Sequence, residues 1–505
     1  MPLPIETIQY TPLKARTGVT GLDDILYGGL PANHLYLLEG DPGTGKTTMA
    51  LQFLLEGAAQ GEKGLYITLS ESKYELEEVA RSHRWSMDGI SIFEMISTEQ
   101  GLAPQAQYTV FHPSEVELAD TMSSILEQVE KIQPRRIVFD SLSELQMLAG
   151  EPLRYRRQIL GLKRFFSDRE CTVLLLDDHS AEGSGLQLQS IAHGVLMMQS
   201  LDRTYGIKRR RLEVRKLRGA AFREGFHDFS IKTGGIVVYP RLVAAEHKSD
   251  FCHTFVSSGV EELDRLLGGG IDGGTSTLLM GPAGCGKSTV AARYSLSAAQ
   301  RNEAAVIFAF DESPATFLRR SKLLDMDLAP YVETGKVHIE QIDPAELSPG
   351  EFVARVRNYV EKEQVRIVVL DSLNGFVNAM PDEQFLMLQL HELLSYLGQY
   401  GIATIITLAQ HGFLGNAIIS PVDVSYLADT VILFRYFEHA GQVKQAISVL
   451  KKRSGAHERT IRELALGPDG VKVGPALGAF EGVLTGTPKF KGNIQDLGSR
   501  DISEK

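Results

Sequence analysis

Short runs of apolar, β-branched residues alternate along this chain with longer stretches in which apolar positions recur at helical spacing. HLYLLEG, GLYITLS, RRIVFDS and CTVLLLD fall in the first half; TSTLLMG, AAVIFAF, RIVVLDS and IATIITLA fall in the second. Such runs between helical segments predict the strands of a parallel sheet covered by helices. The segment KTTMALQFLLEGAAQ sets Met49, Phe53 and Leu54 at helical spacing, a face for burial against that sheet.

The two halves repeat one another. TGVTGLDDILYGGL (17 to 30) is echoed by SGVEELDRLLGGGI (258 to 271), and Gly18 and Gly259 are 259 − 18 = 241 positions apart. Gly40 and Gly281, Lys46 and Lys287, and Glu71 and Glu312 keep that offset, which slips to 371 − 140 = 231 at Asp140 and Asp371. The net difference of ten residues belongs to the loops between. The expected fold is α/β, two tandem domains that each carry a mostly parallel sheet flanked by helices. We expect an N-terminal extension (1–13), a first domain (14–240), a linker without clear period (241–254), a second domain (255–485) and a polar tail (486–505) with little to bury.

Composition narrows the class. A chain of 505 residues exceeds one ordinary domain of about 150 residues, and 43% hydrophobic with 23% charged residues is the balance of a soluble globular protein. No apolar run approaches a membrane span, and the start, MPLPIETIQYTPLK, lacks the pattern of a secretory signal, so a cytoplasmic protein is expected. Cys171, Cys252 and Cys285 are far apart and have no metal-ligand spacing, in keeping with a reducing compartment. The net charge of −11 argues against nucleic acid as the main partner; IKRRRLEVRKLRG (207 to 219) is the strongest basic stripe.

The chemistry is concentrated after the first strand of each half. GDPGTGKT and GPAGCGKS both satisfy G-x-x-x-x-G-K-[ST], and both sit between a strand and a helix. In such a loop the glycines let backbone N–H groups converge on phosphate oxygens at the positive end of a helix. The first candidate ATP cradle is Gly43, Thr44, Gly45, Lys46, Thr47 and Thr48; the second is Gly284, Cys285, Gly286, Lys287, Ser288 and Thr289. Lys46 and Lys287 would reach the β- and γ-phosphates, and the hydroxyls of Thr47 and Ser288 would ligate Mg²⁺. Asp140 and Asp371 end the runs RIVFD and IVVLD, and a carboxylate at that strand end can hold the magnesium through water. The plainer alternative is a cap on the following turn.

The second strand of each half ends in acids, Ser70-Glu71 and Asp311-Glu312. A carboxylate there can orient or deprotonate a nucleophile attacking the γ-phosphate, or merely begin a solvated loop. RKLRG and KKRSG close the halves with Lys216 and Arg218, and Lys451 and Arg453. In nucleotide-binding rings such residues cross a subunit boundary to stabilise the transferring phosphate, an effect worth ~10³ to 10⁵ in rate; exposed strand edges and nucleic-acid contact are the alternatives. Trp85 reads as packing, and the thirteen histidines form no metal spacing. Cys285 needs only to be small and uncharged, although its oxidation would obstruct phosphate entry.

With these features in order, together with EVRKLRG, FDES, VLDS and ADTVILF, the chain resembles the KaiC family of tandem RecA-like P-loop ATPases from about residue 14 to about 488. The resemblance implies a two-tiered homohexamer with ATP at subunit boundaries, a slow ATPase in the first domain, and autophosphorylation by the second. The family's Ser-Thr acceptor pair falls on Ser425-Tyr426, which makes Ser425 the expected acceptor. The Tyr426 oxygen stands farther from the backbone, and in-line transfer tolerates little misplacement, with ~1 Å sometimes costing about 10²-fold. The family's Glu-Glu is here Ser70-Glu71 and Asp311-Glu312, so first-domain hydrolysis is expected to be slow unless Glu71 acts as base, while Asp311 keeps a shorter carboxylate. The tail is shorter than the family's activator-docking tail, so dependence on KaiA is not expected. A KaiB-like protein, a sensor kinase or a response regulator remains a candidate partner. Two alternatives stand beside an ATPase and autokinase: a catalytically weak nucleotide-sensing scaffold, and a DNA-dependent recombinase or helicase.

Overall fold

The computed structural model describes residues 13–95, 113–178, 185–202, 206–247, 251, 254–378, 386–410, 426–483 and 489–490. The chain divides into two compact units at Arg241/Leu242. In the first, nine strands form one sheet: β1 (Leu35–Gly40), β2 (Gly64–Thr68), β3 (Ile90–Glu94), β4 (Arg136–Asp140), β5 (Thr172–Asp178), β6 (Gly194–Leu201), β7 (Arg209–Leu217), β8 (Phe226–Lys232) and β9 (Gly235–Tyr239). Their spatial order is β3-β2-β4-β5-β1-β6-β7-β8-β9. The pairings from β3 through β6 are parallel, and β7 to β9 extend the sheet antiparallel.

The second unit repeats the plan with β10 (Ser276–Gly281), β11 (Ala305–Ala309), β12 (Val337–Gln341), β13 (Ile367–Asp371), β14 (Ala403–Ala409), β15 (Thr430–His439), β16 (Gln442–Lys452), β17 (Arg462–Gly467) and β18 (Gly470–Ala476). Its order, β12-β11-β13-β14-β10-β15-β16-β17-β18, matches the first strand for strand. All eight apolar runs named from the sequence lie on strands. The central ones are buried on both faces, as helix-covered parallel strands must be.

Alternation along each strand sends side chains to two cores. Tyr36 and Leu38 join Met49, Phe53 and Leu54 of α1 (Lys46–Ala59) on one face. Leu35 and Leu37 face the helices α3 (Leu142–Ala149), α4 (Pro152–Ser167) and α5 (Gly185–Ile191) on the other. A helix α2 (Lys73–Ser82) follows β2, begun by a capping box in which Ser72 and Glu75 satisfy each other's backbone N–H. Its counterpart after β11 is preceded by α6 (Lys287–Gln300); α7 (Pro314–Leu323) is capped by Ser313 and led by a proline that fits the first turn.

The expected linker contains a short 3₁₀ turn, Ala244–Glu246, and Leu242 and Ala244 are buried in the second unit's core. Within the expected loose tail, Lys489–Phe490 pairs antiparallel with Phe480–Glu481, because Phe490 finds the Phe480 ring at 5.3 Å. No helix among the described residues is long and apolar enough to cross a membrane.

Candidate nucleotide sites

Each phosphate loop follows a central strand, β1 or β10. Gly45 and Gly286 begin the ensuing helices at φ 100° and 99°, and Gly43 and Gly284 are left-handed too. A Cβ on Gly45 would stand 2.7 Å from Ile231 Cδ1, and one on Gly286 2.5 Å from Leu466 Cδ1, so both sites need glycine on two counts. Lys46 Nζ donates to the carbonyls of Gly40 (2.7 Å) and Asp41 (3.2 Å) and pairs with Asp178 Oδ1 at 2.7 Å. Lys287 Nζ donates to Gly281 O (2.9 Å) and Pro282 O (2.6 Å) and lies 3.7 Å from Cys285 Sγ. Thr44 Oγ1 braces the first loop on Asp41 O at 2.8 Å, and Thr48 and Thr289 are buried in the first helical turns. Burial raises the Cys285 thiol pKa and lowers that of the Lys287 ammonium. A buried, protonated thiol is a poor target for oxidation.

The magnesium side is most complete in the second domain. Ser288 Oγ donates to Asp371 Oδ1 at 2.9 Å, and Thr407 Oγ1 donates to the same oxygen at 2.6 Å. A hydroxyl beside a carboxylate is the hard oxygen set that Mg²⁺ takes, so these residues fit the ion. In the first domain Asp140 Oδ2 instead accepts from the Tyr66 hydroxyl at 2.5 Å, while Thr47 hydrogen-bonds Glu71. Burial pushes both strand-end aspartates upward; hydroxyl donors hold them down. The peptide bonds Asp140–Ser141 and Asp371–Ser372 are both cis.

The acids after β2 and β11 differ in their surroundings. Glu71 lies beside Asp140, Thr47 and Lys46, and burial together with the neighbouring carboxylates of Asp140 and Glu75 raises its pKa to about 7. One of its oxygens is buried with no partner. A carboxylate poised near neutrality beside the phosphate loop has the properties of a general base. In the second domain Glu312 is gripped by Arg320 through contacts of 3.0 and 3.3 Å, and Arg320 also donates to Thr289 Oγ1 at 3.3 Å. Asp311 accepts from Ser372 Oγ at 2.6 Å. The first-half position matching Arg320 is Val79 (320 − 241), so nothing equivalent restrains Glu71.

The closing basic residues do not join their own phosphate loops. Lys216 pairs with Val195, which is level with Leu37, three residues and about 10 Å along the strand from Gly40. Its ammonium donates to Gln189 O (2.5 Å) and Ala192 O (2.7 Å), and Arg218 donates to Ser190 O at 2.9 Å. Lys451 sits likewise level with Val431 and Leu278 and donates to Ala428 O at 2.7 Å. Arg453 donates to Tyr426 O at 3.1 Å and meets Asp429 Oδ1 at 3.4 Å. Ser425 lies outside the described residues; Tyr426 is 57% exposed.

Several groups in these sites escape the sequence motifs. Asp178 could have been suspected as a strand-end acid, and Arg320 as a cation two helical turns after Glu312. Tyr66, Thr407 and Gln410 carry no such signal. Gln410 donates its N–H to Gly281 O at 3.0 Å, while its buried side-chain amide has no partner. The basic stripe is largely spent internally. Arg209 is buried, Arg211 faces Asp228 at 3.5 Å, Arg215 faces Glu213 at 3.3 Å and Lys208 faces Asp202 at 3.0 Å. Trp85 packs against the first core and stacks on His83 at 4.6 Å. Cys171 and Cys285 are free and buried, Cys252 lies outside the described residues, and no metal-binding His/Cys/Asp/Glu group occurs among those described.

A family model for the KaiC ATPase domain matches residues 15–243 and again 256–478. The circadian clock protein KaiC3 of Synechocystis sp. is 27% identical over 488 residues, covering 94% of this chain and 95% of that protein. The circadian clock oscillator protein KaiC of Synechococcus elongatus is 26% identical over 482 residues, covering 94% and 92%, and that of Acaryochloris marina is 26% identical over 485 residues, covering 94% and 91%. Two matches to the ATPase model, each on one nine-stranded sheet with its own phosphate loop, place the chain in the KaiC family of tandem RecA-like ATPases.

Proposed function

We propose that this chain assembles into a homohexameric ring that binds Mg²⁺-ATP in both domains, hydrolyses it, and autophosphorylates on Ser425 in the second, in signalling or clock-like regulation. The observation that supports it most is the position of the two basic pairs. Each domain has a loop, a strand-end aspartate and an acid at one end of its sheet, while Lys216 and Arg218, or Lys451 and Arg453, are anchored well back from that loop. Cations so held suit the γ-phosphate of a neighbouring subunit. Bound magnesium would add positive charge at the β- and γ-phosphate oxygens. Glu71 acts as base in the first domain and the Asp311-Glu312 pair supplies it in the second, with a KaiB-like protein, a sensor kinase or a response regulator as partner. Incubation with γ-labelled ATP and phosphosite mapping, on the wild type and on Lys287→Ala, tests the kinase part. Label absent from both Ser425 and Tyr426 would sink it.

The second reading is a nucleotide-sensing scaffold, favoured by the grip of Arg320 on Glu312 and of Ser372 on Asp311. Appreciable turnover in the wild type excludes a purely passive scaffold. A DNA-dependent recombinase or helicase is disfavoured by the internal ion pairs of the basic stripe; ATPase stimulation by single-stranded DNA at low salt would revive it.

A further inference from the structure

Two carboxylates stand side by side in the first domain, outside the phosphate-binding set. Glu39 and Asp177 are register partners on β1 and β5, and both point to the core face that holds Leu35, Leu37, Val173 and Leu175. They are 2% and 6% exposed. The fold does not require them: the matching partners on β10 and β14 are Met280 and Leu408, also in register and also buried. Burying two acids where the repeat has apolar residues is costly, so a purely structural account is poor.

The surroundings indicate where the charge sits. Gln189 Nε2 donates to both oxygens of Glu39, at 3.1 and 2.8 Å, so both of its oxygens act as acceptors. Two adjacent buried carboxylates cannot both ionise cheaply, which leaves the proton on Asp177. Burial and the charges of Glu39 and Asp178 raise the Asp177 pKa to about 7, against the pull of Lys46; the Tyr155 hydroxyl of α4, near Asp177, is buried without a partner.

Gln189 lies near the end of α5, whose last carbonyls carry Lys216 and Arg218. We propose that Glu39 and Asp177 share one proton and, through Gln189, fix the end of α5 as the anchor that positions Lys216 and Arg218. They are positioning residues for hydrolysis in the first tier, and this role rests on the reading that those cations serve a neighbouring subunit.

The test uses full-length protein carrying Lys287→Ala, so that only first-domain turnover is read. Replacing the pair by its second-half equivalents, Glu39→Met with Asp177→Leu, should leave the fold at least as stable and the KM for ATP within about twofold, while kcat falls about tenfold or more. Asp177→Asn, which keeps the neutral partner, should retain kcat within about threefold. In infrared difference spectra at pH 6, Asp177→Asn should remove a protonated-carboxyl band. Unchanged kcat in the double variant, or no band lost in Asp177→Asn, overturns the proposal. If Lys216→Ala leaves kcat unchanged, the cross-boundary reading fails and the positioning role with it, while the infrared band still decides the shared proton.

Discussion

Glu71→Gln, made in the Lys287→Ala background, is the most direct probe of first-domain chemistry. The substitution keeps shape and leaves the backbone turn intact, since Glu71 N and O bond Thr68 Oγ1 at 2.9 and 2.7 Å. What it removes is a carboxylate beside Asp140 and Lys46 whose pKa is about 7. Loss of a positioned base lowers turnover by about 10² to 10⁴, or about 3 to 5 kcal/mol of barrier. The same group sets a pH dependence with a definite sign. Only the ionised form accepts a proton, so with a pKa of about 7 kcat/KM should fall about fivefold from pH 7 to pH 6, and about tenfold more by pH 5. Steady-state phosphate release over that range checks it, with binding of a fluorescent ATP analogue as control for folding. A pKa raised by the fold makes the charged group a burden at neutral pH, so Glu71→Gln should not lower Tm there. A variant that keeps more than a tenth of parental turnover, or a parental profile flat from pH 5 to 7, refutes Glu71 as base.

Gly45→Ala should abolish nucleotide binding in the first domain and destabilise it by about 2 to 4 kcal/mol, from the left-handed φ and the overlap with Ile231, as read by thermal unfolding and analogue binding. Arg320→Leu releases Glu312 and should raise second-domain turnover several-fold in a Lys46→Ala background; a fall would show that Arg320 itself serves the nucleotide. Asp177 has its folded pKa raised to about 7, so the stability it contributes is full below its unfolded value near pH 4 and is lost as pH rises to 7. Asp177→Asn should therefore be more stable than the wild type at pH 8, by about 2 to 4 kcal/mol, and the gap should close below pH 4 in urea titrations.

Much of the fold is legible because its signals are local. Eight apolar runs become eight strands, and Met49, Phe53 and Leu54 are buried at helical spacing, since a parallel strand covered on both faces tolerates little else. Both phosphate loops are readable because left-handed backbone there demands glycine at fixed positions. The partners of these loops are not readable. Asp178 meets Lys46 across 132 positions, and Thr407 meets Asp371 across 36, contacts that only the strand order creates.

The duplicated α/β plan, the two phosphate loops, the strand-end aspartates and the family can be read from the linear chain, because periodicity, glycine requirements and an internal repeat are local to it. That the two sites differ shows already in Ser70-Glu71 against Asp311-Glu312, but how their acids are held emerges from the folded packing. Glu71, near neutrality, has no arginine clamp while Glu312 is held by Arg320, and Glu39 is set against Asp177 where the other half sets Met280 against Leu408. A charge's behaviour depends on what is packed around it and how little water reaches it, and those neighbours come from strands and helices far apart in the chain.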